Sequence, residues 1–269
     1  MEMPTVCRSL LFVPGDRPER FAKAEASGAD VIVIDLEDSV MLSGKAAARA
    51  NCAAYLGRGG AAMVRINALG TPWAGEDLAL CRLPGVAGVL LPKAGSGAEL
   101  AELGRQLPPG AHVLPLIETA RGMLNVQEIG AAPGVRRLAF GTVDLCRELG
   151  IDEGAGILDV FRAQLVLVSS AAGLQAPIDG VTLELHDPEF ERTCSEAWRK
   201  GFGGKLCIHP SQVEAANRSF SPGPEEIQWA REIVELAKTH GGAFAHAGRM
   251  VDKPVIARAH RLLEYVRRP

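Results

Sequence analysis

The chain has 269 residues, of which 47% are hydrophobic and 23% are charged, and its formal net charge is −3. A chain of this length and composition can bury about three quarters of its unfolded surface, which excludes a disordered protein and a small disulfide-linked scaffold. The slight acidity argues against a nucleic-acid-binding protein, because such proteins normally carry a basic excess.

The chain shows no sign of export or of membrane insertion. No apolar run reaches the ~18 residues that a membrane-spanning helix needs. The first residues lack a basic segment followed by a long apolar one, so no signal peptide is predicted. The six cysteines form no CxxC pair, which in a chain of this length indicates reduced and mostly buried thiols. We therefore expect a cytoplasmic protein without a membrane partner.

Short apolar runs alternate with amphipathic, helix-like stretches along the chain. Runs such as VIVIDL and VLPLI are continuously apolar, which is typical of parallel strands buried on both faces. Strands are predicted at 9–13, 31–36, 63–67, 88–92, 112–118, 137–140, 180–183 and 205–208. Eight such strand–helix units predict an α/β protein with a closed (β/α)8 TIM barrel over residues 1–240. An open doubly wound sheet is the alternative, but no glycine-rich loop follows the first strand as in dinucleotide-binding folds.

Residues 241–269 fall outside this eightfold pattern. They begin with the glycine-rich stretch GGAFAHAGR, and a last helix is expected from Pro254 onward. The segment contains six Lys or Arg and two acidic residues, although the whole chain is slightly acidic. We expect a C-terminal helical arm or lid that covers another part of the protein.

Polar side chains follow nearly every predicted strand. In a TIM barrel the carboxyl ends of the strands meet at one rim, where the active site lies. The candidates at this rim are Asp35, Glu37, Asp38, Arg65, Asn67, Lys93, Glu118, Asp144, Glu184 and His209. Such a concentration of ionisable groups predicts a catalytic rim.

Glu118 and Asp144 follow neighbouring strands, one strand–helix unit apart. Their carboxylates could therefore converge, and two carboxylates with water and substrate oxygens commonly hold Mg2+. The alternative is that each carboxylate only caps a helix N-terminus.

Arg65 lies in the VRIN segment, where a charge is costly unless it is paired. A functional interpretation is a clamp on a substrate carboxylate, and the alternative is a buried ion pair with Glu37 or Asp38. Lys93 could form a Schiff base, but the nearby acids would keep its amine protonated. His209 is a candidate general base or a hydrogen-bonded structural residue.

Taken in order, these segments resemble the citrate lyase β-subunit/malyl-CoA lyase family of Mg2+-dependent carbon–carbon lyases. The resemblance covers almost the whole chain. The matching segments are RSLLFVPG (8–15), DVIVIDLEDSV (30–40), KAAAR (45–49), VRIN (64–67), LPK (91–93), IET (117–119), FGTVDL (140–145), KLCIHPSQV (205–213) and GRMVDKPVIARAHRLL (248–263).

The resemblance implies a (β/α)8 barrel assembled as a homotrimer or a hexamer of two trimers. It also implies that Glu118 and Asp144 are the Mg2+ ligands and that Arg65 contacts the substrate carboxylate. As a metal ligand, Glu118 would also take part in substrate binding. Glu37 and Asp38 match acidic positions around this centre, Glu37 with a catalytic role and Asp38 in substrate binding.

The resemblance further implies that a CoA thioester is the substrate, not a permanently bound cofactor. Lys45 and Arg49 match basic positions that contact the CoA nucleotide in CoA-using relatives. Asp252 matches an acidic residue that CoA-using relatives supply from the C-terminal arm, often across a subunit boundary, to act as a base on the acetyl group. The strand expected near residue 182 departs from the pattern, because Glu184 stands where many relatives have aspartate.

The expected reaction is retro-aldol cleavage of a citramalyl-, malyl- or citryl-type thioester into acetyl-CoA and a 2-oxo acid. A first alternative is a citrate lyase β-subunit acting on an acyl-carrier-protein thioester within a complex. A second is a CoA-independent aldolase that releases pyruvate from free hydroxy-diacids. A non-catalytic metabolite-binding protein is disfavoured because Glu118 and Asp144 are both present.

Overall fold

The computed structural model describes residues 4, 6–154, 156–185, 187–240 and 242–266. In these ranges, eight parallel strands close into a barrel in chain order. They are β1 Ser9–Pro14, β2 Val31–Asp35, β3 Ala62–Arg65, β4 Val86–Leu91, β5 Val113–Ile117, β6 Ala139–Phe140, β7 Ile178–Asp179 and β8 Gly204–Cys207. The (β/α)8 barrel expected from the sequence is confirmed.

Helices follow the strands around the barrel. They are α1 Phe21–Glu25, α2 Lys45–Gly57, α3 Ala74–Leu80, α4 Gly97–Gln106, α5 Ala120–Leu124, α6 Val126–Gly130, α7 Thr142–Leu149, α8 Ile157–Ala171, α9 Phe190–Arg199 and α10 Val213–Ser219. Short 3₁₀ helices lie at Pro18–Arg20, Leu42–Gly44 and Pro210–Gln212. Over the described ranges, no helix combines the length and the apolar character that crossing a membrane would require.

Apolar side chains form two buried layers, one inside the barrel and one between the strands and the helices. Successive residues of β1 show this alternation, since Leu10 belongs to the inner cluster and Leu11 to the outer one. Strands buried on both faces need apolar residues at both alternating positions, which explains the continuous apolar runs. All six cysteines are free and buried, as their scattered positions predicted.

The predicted boundaries of the seventh strand are wrong. The strand was expected at 180–183, but β7 is Ile178–Asp179, where its backbone pairs with β6 and β8. At Gly180 the backbone passes so close to Thr142 that an added Cβ would lie 2.5 Å from its Oγ1. Pairing ends there, so Leu183 lies in a loop with its side chain half exposed. The apolar run that suggested a strand is therefore partly solvent-facing.

Asp179 forms a buried ion cluster between the barrel and the surrounding helices. Its Oδ1 accepts from Arg162 Nε at 3.0 Å and its Oδ2 from Lys205 Nζ at 3.1 Å. Burial by itself would raise the pKa of Asp179, but the charges of Lys205 and Arg162 outweigh it and lower the pKa below its ordinary value of 3.8. The carboxylate is therefore ionised and holds β7, β8 and α8 together.

We expect the Asp179→Asn variant to lose about 2–3 kcal/mol of unfolding free energy at pH 7, because the buried Lys205 loses its counter-charge and Arg162 keeps only the half-exposed Asp159. A group whose pKa is lower in the folded state stabilises above its unfolded pKa and stops stabilising as the pH falls through its folded pKa. Urea titrations of parent and variant should therefore differ most at neutral pH and converge below about pH 3.8. A difference that grows on acidification would contradict this account.

The described contacts divide the chain into two compact units, Met1–Phe220 and Ser221–Pro269. This division lies before the expected boundary between residues 240 and 241. The second unit contains helix α11 Pro224–Thr239, the antiparallel strands β9 Phe244–His246 and β10 Arg249–Val251, and helix α12 Lys253–Glu264. Helix α11 belongs with the last helix because they pack together, with the Arg258 guanidinium 5.4 Å from the Trp229 ring. Positions 241 and 267–269 of the expected arm lie outside the described residues.

Candidate active site

Arg65 and Asp35 form a bidentate ion pair at the ends of β2 and β3. The two residues are register partners, so their side chains leave the barrel wall on the same side. Arg65 Nε donates to Asp35 Oδ1 at 2.7 Å and Nη2 donates to Oδ2 at 2.6 Å. Asp35 is 1% exposed and also accepts the backbone N–H groups of Glu37 and Ser39. Burial alone would raise the pKa of Asp35, but Arg65 and these N–H groups lower it.

Arg65 therefore has a buried ion-pair partner, as one sequence interpretation proposed, but its main partner is Asp35. Glu37 is a second partner, with Oε2 at 3.1 Å from Arg65 Nη1. The guanidinium also lies 4.8 Å from the centre of the Phe12 ring. These contacts fix the plane of the guanidinium, and its side chain remains 13% exposed.

Glu37 and Lys93 connect this ion pair to the next strand ends. The Lys93 ammonium contacts Glu37 Oε1 and lies 3.7 Å from Oδ2 of the exposed Asp38. Burial raises the pKa of Glu37, and this effect exceeds the lowering by Arg65 and Lys93. Burial would lower the pKa of Lys93, but the hydrogen bond and charge of Glu37 outweigh it and raise the pKa. A protonated lysine is a poor nucleophile, so the geometry disfavours the Schiff-base alternative.

Glu118 and Asp144 lie where β5 and β6 end. The strands are in register at Ile117 and Phe140, and Glu118 follows β5 directly. Glu118 is 2% exposed, and its Oε1 accepts the backbone N–H of Lys93 at 2.8 Å. Asp144 lies in the first turn of α7 and pairs with Arg147 at 2.7 Å.

The two carboxylates lie within electrostatic reach of each other. Burial raises the pKa of Glu118 to about 8, and the negative charges of Glu37 and Asp144 contribute to the increase. The Lys93 ammonium and its backbone N–H act in the opposite direction. A buried carboxyl with a raised pKa would be stabilised in its ionised form by a cation.

The donor chemistry of this pair fits Mg2+. Across the described ranges, no group of three or more His, Cys, Asp or Glu is arranged to hold a metal ion. Mg2+ does not need such a group, because it keeps several waters and commonly uses one or two protein carboxylates together with substrate oxygens. Glu118 and Asp144 supply two hard oxygen donors of this kind.

Gly141 is a site residue that the sequence analysis missed. It follows β6, and its N–H donates to Ile117 O at 2.9 Å, which brings its backbone against Glu118. A Cβ added at Gly141 would lie 2.7 Å from Glu118 Oε2 and closer still to Glu118 Cβ. The glycine in FGTVDL was the available signal, since a glycine after a strand often marks a close approach.

We expect the Gly141→Ala variant to lose about 10- to 100-fold in Mg2+-dependent turnover, since a 1 Å displacement of a site group can cost about that much. The added methyl group must displace the Glu118 carboxylate. Gly57→Ala is the matched control, because a Cβ at this helical position meets no atom within 4 Å. Steady-state kinetics and Mg2+ titration of both variants test the expectation. Equal activity of the two variants would contradict it.

Lys45 and Arg49, predicted to contact the CoA nucleotide, both have partners within the barrel unit. Lys45 Nζ is buried and donates to Leu36 O at 2.7 Å and Glu37 O at 2.8 Å. Burial lowers the pKa of Lys45 despite the nearby acids. Arg49 pairs with the buried Asp77 at 3.2 Å. In this geometry Lys45 holds the loop after β2 and Arg49 connects α2 to α3. Contact of either cation with the CoA nucleotide stays a prediction.

For three further candidates the structure shows local partners or exposure. Asp252 caps α12 within the second unit, where its Oδ1 accepts Val255 N–H at 3.3 Å. His209 Nδ1 lies 2.7 Å from Ser211 Oγ and caps a 3₁₀ helix, as the structural interpretation expected. Glu184 is exposed and lies beyond β7 instead of at its end.

Comparisons with known proteins assign the chain to a family. The sequence profile of the HpcH/HpaI aldolase/citrate lyase family matches residues 8–210. A citrate lyase subunit beta-like protein from Deinococcus radiodurans is 36% identical over 280 residues, covering 97% of this chain and 98% of the relative. A (3S)-malyl-CoA thioesterase from Cereibacter sphaeroides is 35% identical over 274 residues, covering 95% and 93% of the two chains.

Solved structures agree with this assignment. The crystal structure of CitE from Mycobacterium tuberculosis in complex with magnesium, acetoacetate and coenzyme A has a TM-score of 0.82 and 36% identity. The matched region covers 97% of this chain and 99% of the CitE chain. The closed barrel together with the family match places the chain among carbon–carbon lyases of the TIM-barrel class. This chain belongs to the HpcH/HpaI aldolase/citrate lyase family, which confirms the resemblance seen in the motifs.

Proposed function

We propose that this protein is a Mg2+-dependent lyase that cleaves a 3-hydroxyacyl-CoA of malyl, citramalyl or citryl type into acetyl-CoA and a 2-oxo acid. The observation that carries the proposal is that Glu118 and Asp144 follow neighbouring strands and interact electrostatically, with Glu118 also within electrostatic reach of Arg65. Two relatives support it, since CitE from M. tuberculosis was solved with magnesium and coenzyme A and the C. sphaeroides relative is named for malyl-CoA.

Glu118 and Asp144 would hold Mg2+, which when bound polarises the hydroxyl and carboxylate oxygens of a hydroxy acid. Arg65 would orient the substrate carboxylate through the guanidinium N–H groups that are not bound to Asp35, and its positive charge would offset the charge of that carboxylate. Its fixed guanidinium plane avoids a loss of rotamer freedom when the substrate binds.

Cleavage breaks the bond between the hydroxyl-bearing carbon and the carbon next to the thioester. The hydroxyl loses its proton and becomes the carbonyl of the 2-oxo acid, while the bonding electron pair passes into the thioester carbonyl as an enolate. Glu37 is the proposed acceptor of the hydroxyl proton, because its raised pKa makes it a stronger base than an exposed glutamate. The enolate then takes up a proton at carbon and leaves as acetyl-CoA.

Asp252 is the proposed donor of that proton. It belongs to the C-terminal arm, for which we propose a role as a lid that excludes water from the enolate and contacts a neighbouring subunit of a homotrimer or hexamer. Asp38 and Arg49 complete the proposed contacts with the acyl-CoA, Asp38 on the acyl side and Arg49 toward the nucleotide. The Lys45 ammonium, which donates to two backbone carbonyls, would have to leave them to reach the nucleotide.

A panel of CoA thioesters tests this proposal and selects the acyl group. Purified protein is incubated with malyl-, citramalyl- and citryl-CoA in the presence of Mg2+, and the release of acetyl-CoA and 2-oxo acid is followed. We expect cleavage of one thioester, abolished by EDTA and restored by excess Mg2+. Activity only on an acyl-carrier-protein thioester would favour the citrate lyase β-subunit alternative. Release of pyruvate from free hydroxy-diacids would favour the CoA-independent aldolase.

Hydrolysis of malyl-CoA is a second candidate function. The observation that favours it is the 35% identity to a (3S)-malyl-CoA thioesterase over 95% of this chain. Hydrolysis releases free CoA and malate, whereas carbon–carbon cleavage keeps the thioester intact in acetyl-CoA. The products of the same reaction therefore separate the two activities.

A further inference from the structure

Lys93 has an unusual backbone conformation beside the candidate metal ligands. Its φ is +52°, and within the described ranges Ala247 is the other non-glycine residue with a positive φ. In this left-handed region the Cβ of an L-residue lies too close to a carbonyl oxygen, so residues other than Gly, Asn or Asp rarely adopt it. Such conformations persist where surrounding contacts fix them, often at functional sites.

With this backbone conformation, the backbone N–H of Lys93 and its side-chain ammonium contact different acidic residues. Its backbone N–H donates to Glu118 Oε1 at 2.8 Å. Its ammonium contacts Glu37 Oε1 and approaches Asp38 at 3.7 Å. Main chain and side chain of one residue thus connect the acids that follow β2 with the acid that follows β5.

The chain beyond Lys93 is anchored independently of its side chain. Asn125 Nδ2 donates to Gly95 O at 2.7 Å, and Gly95 N–H donates to Glu99 Oε2 at 2.9 Å. The loop after β4 therefore has fixed points that a substitution at residue 93 leaves in place. A glycine at this position could keep the turn without the steric penalty.

We propose that Lys93 is a positioning residue for Glu118: its ammonium, held by Glu37, keeps the backbone left-handed, and the backbone N–H thereby fixes the carboxylate that receives the metal. This inference deepens the proposed function, because it depends on Glu118 as a Mg2+ ligand. It assigns the main chain of Lys93 a task that a Schiff-base or purely electrostatic role would not require.

Two variants with the same loss of charge separate these roles. Lys93→Ala and Lys93→Gly both remove the ammonium, so the charge near Glu118 changes equally in both. Only alanine carries the steric penalty of a positive φ, and without the Glu37 contact its backbone should relax and withdraw the N–H. We expect the Mg2+ dissociation constant, measured by isothermal titration calorimetry, to rise about tenfold or more in Lys93→Ala and to stay within about threefold of the parent in Lys93→Gly.

Thermal unfolding in EDTA gives a second, metal-free readout. Lys93→Gly should unfold at a higher temperature than Lys93→Ala, which reverses the usual order of these residues. Lys238 in helix α11 supplies the control, since there the alanine variant should be the more stable one. Equal Mg2+ affinity of the two Lys93 variants, or a more stable alanine variant, would overturn the inference.

The same experiment distinguishes this inference from the proposed function. A parent protein that binds no Mg2+ would defeat the proposed function and the positioning role together, whatever the thermal order of the variants. A parent that binds Mg2+ and cleaves a thioester, while both variants bind Mg2+ equally, would defeat only the positioning role.

Discussion

The Glu118→Gln variant is expected to lose Mg2+-dependent turnover by about 10³-fold or more while remaining folded. Glutamine matches glutamate in shape and its Oε1 can still accept the Lys93 N–H, but it offers the metal no charge. A loss of several kcal/mol of transition-state stabilisation corresponds to this factor. Steady-state kinetics with saturating substrate over a Mg2+ series measures the effect.

Stability should not follow activity in this variant. Burial disfavours the charged form of Glu118 and raises its pKa to about 8, so an uncharged isostere should not lower the free energy of unfolding. Glu214→Gln is the matched control, because Glu214 is an exposed residue of α10. Parent-like turnover of Glu118→Gln would refute its assignment as a metal ligand.

The Arg65→Ala variant should affect both stability and catalysis. It leaves Asp35 buried without its bidentate partner, and breaking a buried ion pair from one side costs about 3–5 kcal/mol of unfolding free energy. It also removes the proposed contact with the substrate carboxylate, for which we expect a loss of about 10- to 100-fold in kcat/KM. Urea denaturation and steady-state kinetics measure the two effects separately.

The double variant Arg65→Ala/Asp35→Ala separates the two roles of Arg65. Removing the unpaired carboxylate should recover part of the lost stability, since no uncompensated buried charge remains. Activity should not recover, because the substrate still lacks its cation. A single Arg65→Ala variant as stable as the parent would show that the ion pair with Asp35 contributes nothing to the fold.

The barrel could be predicted because strands buried on both faces require continuous apolar runs, and most of these runs end where the strands end. β7 was the exception. Residues 180–183 resemble a strand, but pairing stops at Asp179, whose charge is neutralised by Lys205 and Arg162. Such a long-range ion cluster leaves no local pattern in the sequence.

The rim of the site could be predicted in part for the same reason, since strand ends locate Glu118 and the Arg65 region without any three-dimensional information. Of the partners of Arg65, Glu37 was predicted, but the main partner Asp35 was not, because that pairing depends on the register of β2 against β3. The left-handed backbone of Lys93 and the close approach of Gly141 to Glu118 depend on dihedral angles and packing. The Lys93 backbone N–H and the closely packed Gly141 are the two features that position the Glu118 carboxylate.

The interpretation of Lys45 illustrates a different difficulty. A basic residue in a motif suggests contact with an anion, whereas Lys45 Nζ is buried on two backbone carbonyls. Burial depends on how the loop after β2 folds over α2, and the sequence does not encode this as a local pattern. Whether the nucleotide end of CoA approaches Arg49 stays a prediction.

Product stoichiometry from malyl-CoA tests the central claim most directly. Acetyl-CoA, the 2-oxo acid and free CoA would be quantified in one reaction, with and without EDTA. We predict that acetyl-CoA and the 2-oxo acid form in equal amounts and only when Mg2+ is present. If citramalyl- or citryl-CoA is the preferred thioester, that substrate should give the same 1:1 ratio of products. Free CoA and the intact hydroxy acid, formed without acetyl-CoA from all three thioesters, would contradict carbon–carbon cleavage and identify a thioesterase.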